Sequence, residues 1–340
     1  MRVAVVGARR AEQGIGQFVA RDLAALGAEV VAIVGTSEET IATAAADLKR
    51  LYDLEVRGYR DVETMLTRET LDAVAICSPQ QFHAEQMQAA LSHKVHVLCE
   101  KPLVFMPGAD NVAVARPLVE GFSKAGLILM VNQQWPHTLR AFDQCWPAAR
   151  ATPVTQLEML LAPAEAGPGM IPNAMPHVLS LLLSCVSSGG RIESLRMERP
   201  AAGRLNVQFE YVHAEGRTSV RTWFVQAARQ PRPAGYAING CTVRRTIRMS
   251  DYAMFLETGG QELSEIAGGG PDLAATAARA GSDEIIQRVL LEDPLRLLLA
   301  DFISRCRAGE TAPGVDPALL DNVRLLDELY RAAIVGHATA

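Results

Sequence analysis

The first 130 or so residues read as an α/β domain, a doubly wound parallel sheet with helices on both faces. Short apolar runs alternate with segments of helical periodicity along this whole stretch. The first run, Val3-Ala4-Val5-Val6, ends in a glycine-rich turn that begins at Gly7. A later run, Val95–Leu98, breaks off in Glu100-Lys101-Pro102. Charged groups are thereby delivered to the carboxyl end of a strand, where open α/β sheets hold their ligands.

Each element follows from its own pattern. Val3–Val6 is continuously apolar, as a central parallel strand requires. Gly16 to Gly27 turns helical, with Phe18, Val19, Leu23 and Leu26 on one face. Glu29–Val34 is a second strand, and a helix over Ser37–Leu51 is opened by Thr36-x-x-Glu39 as a capping box. Asp61–Arg68 is a short helix, Asp72–Cys77 a strand, Gln81–Ser92 a helix, Val95–Leu98 a strand and Ala109–Lys124 a helix. Leu127–Val131 is the last apolar strand of the series.

Composition narrows the class. An apolar share of 49% with 21% charged residues describes a globular chain, and 340 residues predict two domains, 1–132 and 133–340. A net charge of -5 gives no reason to expect nucleic acid as a partner. The six cysteines are scattered without a C-x-x-C pair, which predicts reduced thiols and no metal site. Only Met1 and Arg2 precede the first strand, and no apolar run approaches the roughly 20 residues of a membrane span. No leader peptide and no membrane segment are expected, and the location read from these features is cytoplasmic.

The turn from Gly7 to Gly16 is glycine-rich where a dinucleotide fingerprint would be, but about four residues longer than G-x-G-x-x-G between its first glycine and the pair Gly14 and Gly16 around Ile15. With a strand before it and a helix after it, it predicts backbone amides and a helix amino end meeting a pyrophosphate. At the end of the second strand an NAD site would place an acid on the ribose hydroxyls. Gly35-Thr36-Ser37 stands there instead. Small hydroxyl side chains leave room for a 2′-phosphate, and Arg9 or Arg10 supplies a counter-charge, so NADP is favoured and NAD is second. In the NAD alternative Glu38 reaches back to the ribose.

Cys77-Ser78-Pro79-Gln80-Gln81-Phe82-His83 and, one helix later, His96-Val97-Leu98-Cys99-Glu100-Lys101-Pro102 form a specific pair. With the glycine turn they resemble the glucose–fructose oxidoreductase / inositol dehydrogenase / MocA family. The likeness covers residues 1 to about 135 well, and more weakly 155–190 and 294–336. It implies a nicotinamide-binding amino domain, in which Ser78, Pro79, His83 and Glu100 join the cofactor site. It also implies a carboxyl-terminal α+β domain with a large, mostly antiparallel sheet. That domain would bind substrate and form a homo-oligomer, a dimer or tetramer, through its sheet. Lys101 inherits a place beside nicotinamide and substrate. An ammonium there polarises a carbonyl or hydroxyl and tunes the proton that accompanies hydride transfer. Pro102 restricts the backbone of Lys101, and Glu100 orients its amine.

After the last strand come Asn132-Gln133-Gln134-Trp135-Pro136-His137. Polar residues straight off a strand end, with an aromatic, are expected to line a cleft between domains. Trp135 would cover a ligand face or plug an interface, and His137 ranks as a further acid/base candidate. Val154–Leu161 is a strand, 163–172 a loop, and Asn173-Ala174-Met175-Pro176-His177 opens an apolar helix over Val178–Val186. The family pattern implied here is an acid, a His four residues on, and a second acid three further. His177 matches, but Asn173 and Ser180 replace the acids. Asn173 hydrogen-bonds a hydroxyl yet takes up no proton.

From Arg191 to Arg248 the chain alternates like strands and is rich in arginine. This is either a basic face for an anionic substrate or a solvated or subunit-contacting sheet. A loop is expected over 259–270, and two closing helices start at Pro294 and Pro317. The function these features predict is an NAD(P)-dependent oxidoreductase that moves hydride to or from a small polar substrate: a sugar, polyol, ketone or imine. The alternatives are a nicotinamide-binding sensor or scaffold without redox chemistry, and an imine reductase of a biosynthetic pathway.

Overall fold

The computed structural model describes residues 1–9, 14–228, 232–248, 250, 253–260, 262–268, 287–309 and 316–338. In chain order these form β1 (Arg2–Val6), α1 (Gly16–Ala25), β2 (Glu29–Val34), α2 (Glu38–Tyr52), β3 (Arg57–Tyr59), α3 (Val62–Arg68), β4 (Ala73–Ile76), α4 (His83–Ser92), β5 (His96–Cys99), α5 (Asn111–Lys124) and β6 (Leu129–Val131). Then follow α6 (Leu139–Cys145), β7 (Gln156–Leu161), α7 (Met170–Leu183), β8 (Arg191–Glu198), β9 (Arg204–His213) and β10 (Gly216–Val225). The remainder is β11 (Ala234–Ile238), β12 (Cys241–Arg248), β13 (Ala253–Thr258), α8 (Leu263–Gly268), β14 (Gln287–Leu291), α9 (Pro294–Ala308) and α10 (Pro317–Ala338).

Two compact units result, one of Met1–Gln133 with Leu295–Val323 and one of Gln134–Pro294 with Arg324–Ala340. They differ from the 1–132 and 133–340 division in one respect. Leu298, Leu299 and Phe302 of α9 join the core around Val3, Val5 and Leu23, so Leu295–Val323 returns to the first unit.

The first unit is the expected doubly wound sheet, all parallel, in the order β3-β2-β1-β4-β5-β6. Its central strands β1, β2, β4 and β5 are almost wholly buried because both faces are covered. Residues of α1, α2 and α9 pack on Val3, Val5 and Ala73, whereas α3, α4 and α5 pack on Ala4, Val74 and Val97. The strand order reverses between β1 and β4, and in such sheets the carboxyl ends at that reversal form the ligand crevice. Two details differ from expectation. β3 adds a short strand that the sequence pattern does not announce. The helix opener of α2 is Ser37, extended at φ -148°, whose hydroxyl accepts from Thr40 N–H while Thr40 Oγ1 accepts from Ser37 N–H. The capping box thus lies one residue beyond Thr36 and Glu39.

The second unit is α+β. Its eight-stranded sheet runs β14-β13-β12-β11-β7-β10-β9-β8 and is antiparallel except for the β7/β10 pair. Residues that face one another across strands share a face. Leu157, Met159, Val220, Phe209, Tyr236 and Val243 therefore lie on one side, all essentially buried. Tyr236 stacks there on Phe142 of α6 at 5.4 Å between ring centroids. The opposite face is covered at its centre by α8, where Leu263, Ile266 and Ala267 pack on Leu160, Trp223 and Ala237. A helix thus stands where 259–270 was expected to be loop.

α7 begins at Met170, eight residues before the expected start, and runs through Pro172 and Pro176. Pro172 falls in the first turn, where a missing N–H breaks no bond. Pro176 forfeits one backbone bond, and a run of buried residues from Met170 to Leu182 outweighs that loss. Many arginines of the sheet find local partners: Arg191 and Arg217 pair with Glu193, and Arg221 with Glu158. Arg229 lies outside the described residues. Among the described residues no helix is long and apolar enough to cross a membrane, and no cluster of His, Cys, Asp and Glu suits a metal ion.

Candidate active site

The glycine turn does two jobs at the end of β1. Gly7 has φ +78°, and a Cβ there would lie 2.8 Å from the carbonyl oxygen of Cys77, so backbone passes backbone with no room for a side chain. A Cβ on Gly16 would lie 2.3 Å from the carbonyl oxygen of Gly7, which seats the start of α1 directly on the turn. The preceding residue, Ile15, offers no side-chain cap, and no acid stands in the first turn of α1. The partial positive charge of this helix end is left for an anion, as a dinucleotide pyrophosphate requires. Gly14 is partly buried beside it, and Arg9 is exposed. Arg10, proposed as a counter-charge, lies outside the described residues. At the end of β2, Thr36 is exposed while Ser37 is engaged as the cap of α2.

The two loops that follow β4 and β5 are tied together by His83. Its ring is 1% exposed, and it sits between two carbonyl oxygens, with Nε2 2.9 Å from that of Ser78 and Nδ1 2.9 Å from that of Pro102. Burial pulls the imidazole pKa below its ordinary value, against the opposite pull of these carbonyls. The motif placed His83 in the cofactor site; the structure makes it a clamp on the backbone that carries Lys101. Ser78 Oγ donates to Gln86 Oε1 at 2.6 Å, which orients the first of the two loops.

The Glu100-Lys101-Pro102 loop is held from its other side as well, and its Lys101–Pro102 peptide is cis. The Glu100 carboxylate accepts the Lys101 backbone N–H at 3.2 Å and the side-chain amide of Asn132. Asn132 is itself buried and donates its backbone N–H to Cys99 at 2.7 Å. Burial raises the Glu100 pKa, and the neighbouring Lys101 charge counters that in part. The Cys77 and Cys99 thiols are pushed well up by burial and then by Glu100, so neither is a ready thiolate. Asn132 was legible only as a polar residue after a strand. Its role as partner of Glu100 needed the β5/β6 register to appear.

In the second unit, Asn173 and His177 lie one turn apart on α7, both partly exposed along a helix whose remaining surface is mostly buried. Ser180 continues that stripe but is 3% exposed, its hydroxyl donating to the carbonyl of His177 at 2.8 Å. Trp135, expected to cover a ligand face or plug an interface, is packed within the second unit. It is 5% exposed, edge-on to Tyr236 at 5.9 Å, with the guanidinium of Arg245 over its ring at 5.3 Å.

The parallel sheet and the two motif loops are those of a Rossmann-type domain, and comparison with known proteins finds the same likeness. Residues 1–133 match the family model named GFO_IDH_MocA, described as an oxidoreductase family with an NAD-binding Rossmann fold. The match is confined to the amino-terminal domain, which is similar to that of the glucose–fructose oxidoreductase / inositol dehydrogenase / MocA oxidoreductases. It is 34% identical over 144 residues to a 4-carboxy-2-hydroxymuconate-6-semialdehyde dehydrogenase of Sphingobium, covering 41% of this chain and 39% of that protein. It is 30% identical over 133 residues to a myo-inositol 2-dehydrogenase of Thermotoga maritima, covering 39% and 36%. The chain therefore matches under two fifths of the length of these curated relatives. The solved structure of a UDP-N-acetylglucosamine 3-dehydrogenase from Acidithiobacillus ferrooxidans superposes with a TM-score of 0.66 at 19% identity, covering 98% of this chain and 97% of that one. That likeness extends the shared fold to the second unit.

Proposed function

We propose that the chain is an NAD(P)-dependent oxidoreductase that interconverts a hydroxyl and a carbonyl, or an amine and an imine, on a small polar substrate. The observation that carries this is the Lys101 loop, fixed by His83 and by the Glu100–Asn132 pair at the sheet end where Gly7 and Gly16 leave backbone open to a dinucleotide. When bound, the nicotinamide supplies or accepts the hydride. Lys101 donates a hydrogen bond to the reacting oxygen or nitrogen and steadies the charge that develops there. Glu100 keeps the lysine backbone in place. His177 holds or passes the accompanying proton at an imidazole nitrogen, and Asn173 hydrogen-bonds a substrate hydroxyl without exchanging a proton.

NADP is the favoured cofactor and NAD the second. Thr36 and Ser37 leave the ribose end without the acid that grips a 2′-hydroxyl, and Arg9 is exposed on the turn before α1. The sheet of the second unit is the proposed contact between copies in a dimer or tetramer, which light scattering would count. The functional test is hydride transfer, followed by the absorbance of reduced nicotinamide, over a panel of sugars, polyols, ketones and imines. Lys101→Ala should bind cofactor normally and turn over at least about a hundredfold more slowly; unchanged turnover would sink the assignment. The second reading, a binding protein without redox chemistry, rests on Asn173 and Ser180 standing where acids are expected. Tight cofactor binding with no active substrate in the panel would favour it.

A further inference from the structure

Arg245 is a cation placed among apolar neighbours. On β12 it faces Ala234 of β11 and Leu256 of β13, and both are buried. Its guanidinium lies over the Trp135 ring, and its Nε is buried with no hydrogen-bond partner among the described residues. Among the described residues no carboxylate pairs with it. The acid of the next register position, Glu257, belongs to the opposite face and is taken by Arg288. Burial pushes the Arg245 pKa down, to about 10. Arg245 as a whole is partly buried, and a buried guanidinium N–H without an acceptor is costly unless something anionic completes it.

Its position suits a ligand. The register β7/β11/β12 sets Arg245 on the Tyr236 side of the sheet, level with the carboxyl end of β7 at Leu160 and Leu161. From that end the chain passes through a short loop into the first turns of α7, which carry Asn173 and His177. α7 packs on the turn that begins with Trp135, the residue under the Arg245 guanidinium. Arg245 and the Asn173–His177 stripe thus share one layer of the second unit.

We propose that Arg245 is the anion receptor of the substrate site and that the substrate carries a carboxylate. A guanidinium is planar and presents its N–H edge as a fork, which matches a carboxylate in two parallel bonds. The inference rests on the oxidoreductase reading for what happens to the substrate, but not for its binding.

The test uses the full chain with saturating NADPH or NADP+, as wild type, Arg245→Gln and Arg245→Lys. Thermal unfolding without ligand first establishes that each variant is folded. Binding is measured by calorimetry for D-glucuronate against D-glucose, tartrate against erythritol, 2-oxoglutarate, and D-glucose 6-phosphate. A carboxylate that binds wild type and loses about 10- to 100-fold in Arg245→Gln, with part recovered in Arg245→Lys, is the expected result. If no carboxylate of the panel binds in an Arg245-dependent way, or only the phosphate ester does, the proposal is overturned. Hydride transfer separates the two readings. Arg245-dependent binding with no turnover of any compound counts against the oxidoreductase and leaves the receptor. Turnover of neutral sugars at equal kcat/KM in wild type and Arg245→Gln, with no carboxylate preference, does the reverse.

Discussion

Replacing His83 by Phe tests the clamp between the β4 and β5 loops while keeping a ring in a site that is 1% exposed. Both ring nitrogens lie 2.9 Å from carbonyl oxygens, those of Ser78 and Pro102. A neutral imidazole donates to only one of them, so the variant loses one full hydrogen bond and a weaker polar contact and leaves carbonyls facing carbon. One bond is worth about 1 kcal/mol and a buried orphaned acceptor about 1–3 kcal/mol, which gives a loss of roughly 2–4 kcal/mol. In a unit of this size that lowers Tm by roughly 5–15 °C. The loss also depends on pH. The folded imidazole, its pKa lowered by burial, binds a proton less readily than the unfolded one, so the unfolded chain is favoured as protons are added. The wild-type contribution is complete above the unfolded value of about 6.5 and fades as pH falls through the folded one. Urea unfolding followed by circular dichroism between pH 5 and 8 reads both effects. His83→Phe should be less stable at pH 7.5 and lack this acid limb, and its kcat should fall while cofactor affinity stays within about twofold of wild type. A variant as stable as wild type to within about 0.5 kcal/mol, with the same acid slope, would refute the clamp.

Gly16→Ala, whose Cβ would lie 2.3 Å from Gly7 O, should displace the start of α1 and weaken NADPH binding at least about tenfold in a fluorescence titration. Glu100→Gln should remove a pH dependence of opposite sign to that of His83. Burial raises the folded pKa of this carboxyl, so its contribution is complete below the unfolded value and lost as pH rises through the folded one; denaturant titrations should show the variant's stability flatter with rising pH. Asn173→Asp places a carboxylate one turn from His177 and should raise alcohol oxidation by about tenfold or more, with a new acid limb in the rate profile. An unaltered rate profile would mean that position 173 does not touch the chemistry.

The first unit was legible because its signals are local. The central strands β1, β2, β4 and β5 are buried on both faces and so read as unbroken apolar runs, and the glycines of the first turn are demanded by backbone contacts a few ångströms away. Lys101 was legible through a motif. What holds Lys101 was not, since Asn132 reaches Glu100 across the sheet and His83 reaches Pro102 from the start of α4. Those contacts belong to register and crossover. In the second unit the prolines at 172 and 176 disguised the start of α7, because local propensity argues against a helix that tertiary burial then stabilises. Arg245 was one arginine in a run of many. Only strand pairing puts it on the Tyr236 face, while Arg244 beside it faces the other way.

The two departures from the acidic pattern on α7 are not equivalent. Ser180 is buried and donates to the carbonyl of His177, so a carboxylate at that position would meet a backbone oxygen with nothing to donate to it. Its loss is explained by helix packing in this chain and says little about chemistry. Asn173 stays on the partly exposed flank with His177, so helix packing does not account for the missing acid there, and the proposed reaction is where it would matter. An amide there can hydrogen-bond a hydroxyl but takes up no proton. A carboxylate at 173 would also stand in the layer that holds Arg245 and compete with a carboxylate substrate for its guanidinium. Asn173 and Arg245 are therefore consistent choices, because a site that recruits an anion with one arginine gains by keeping its own acids out of that layer.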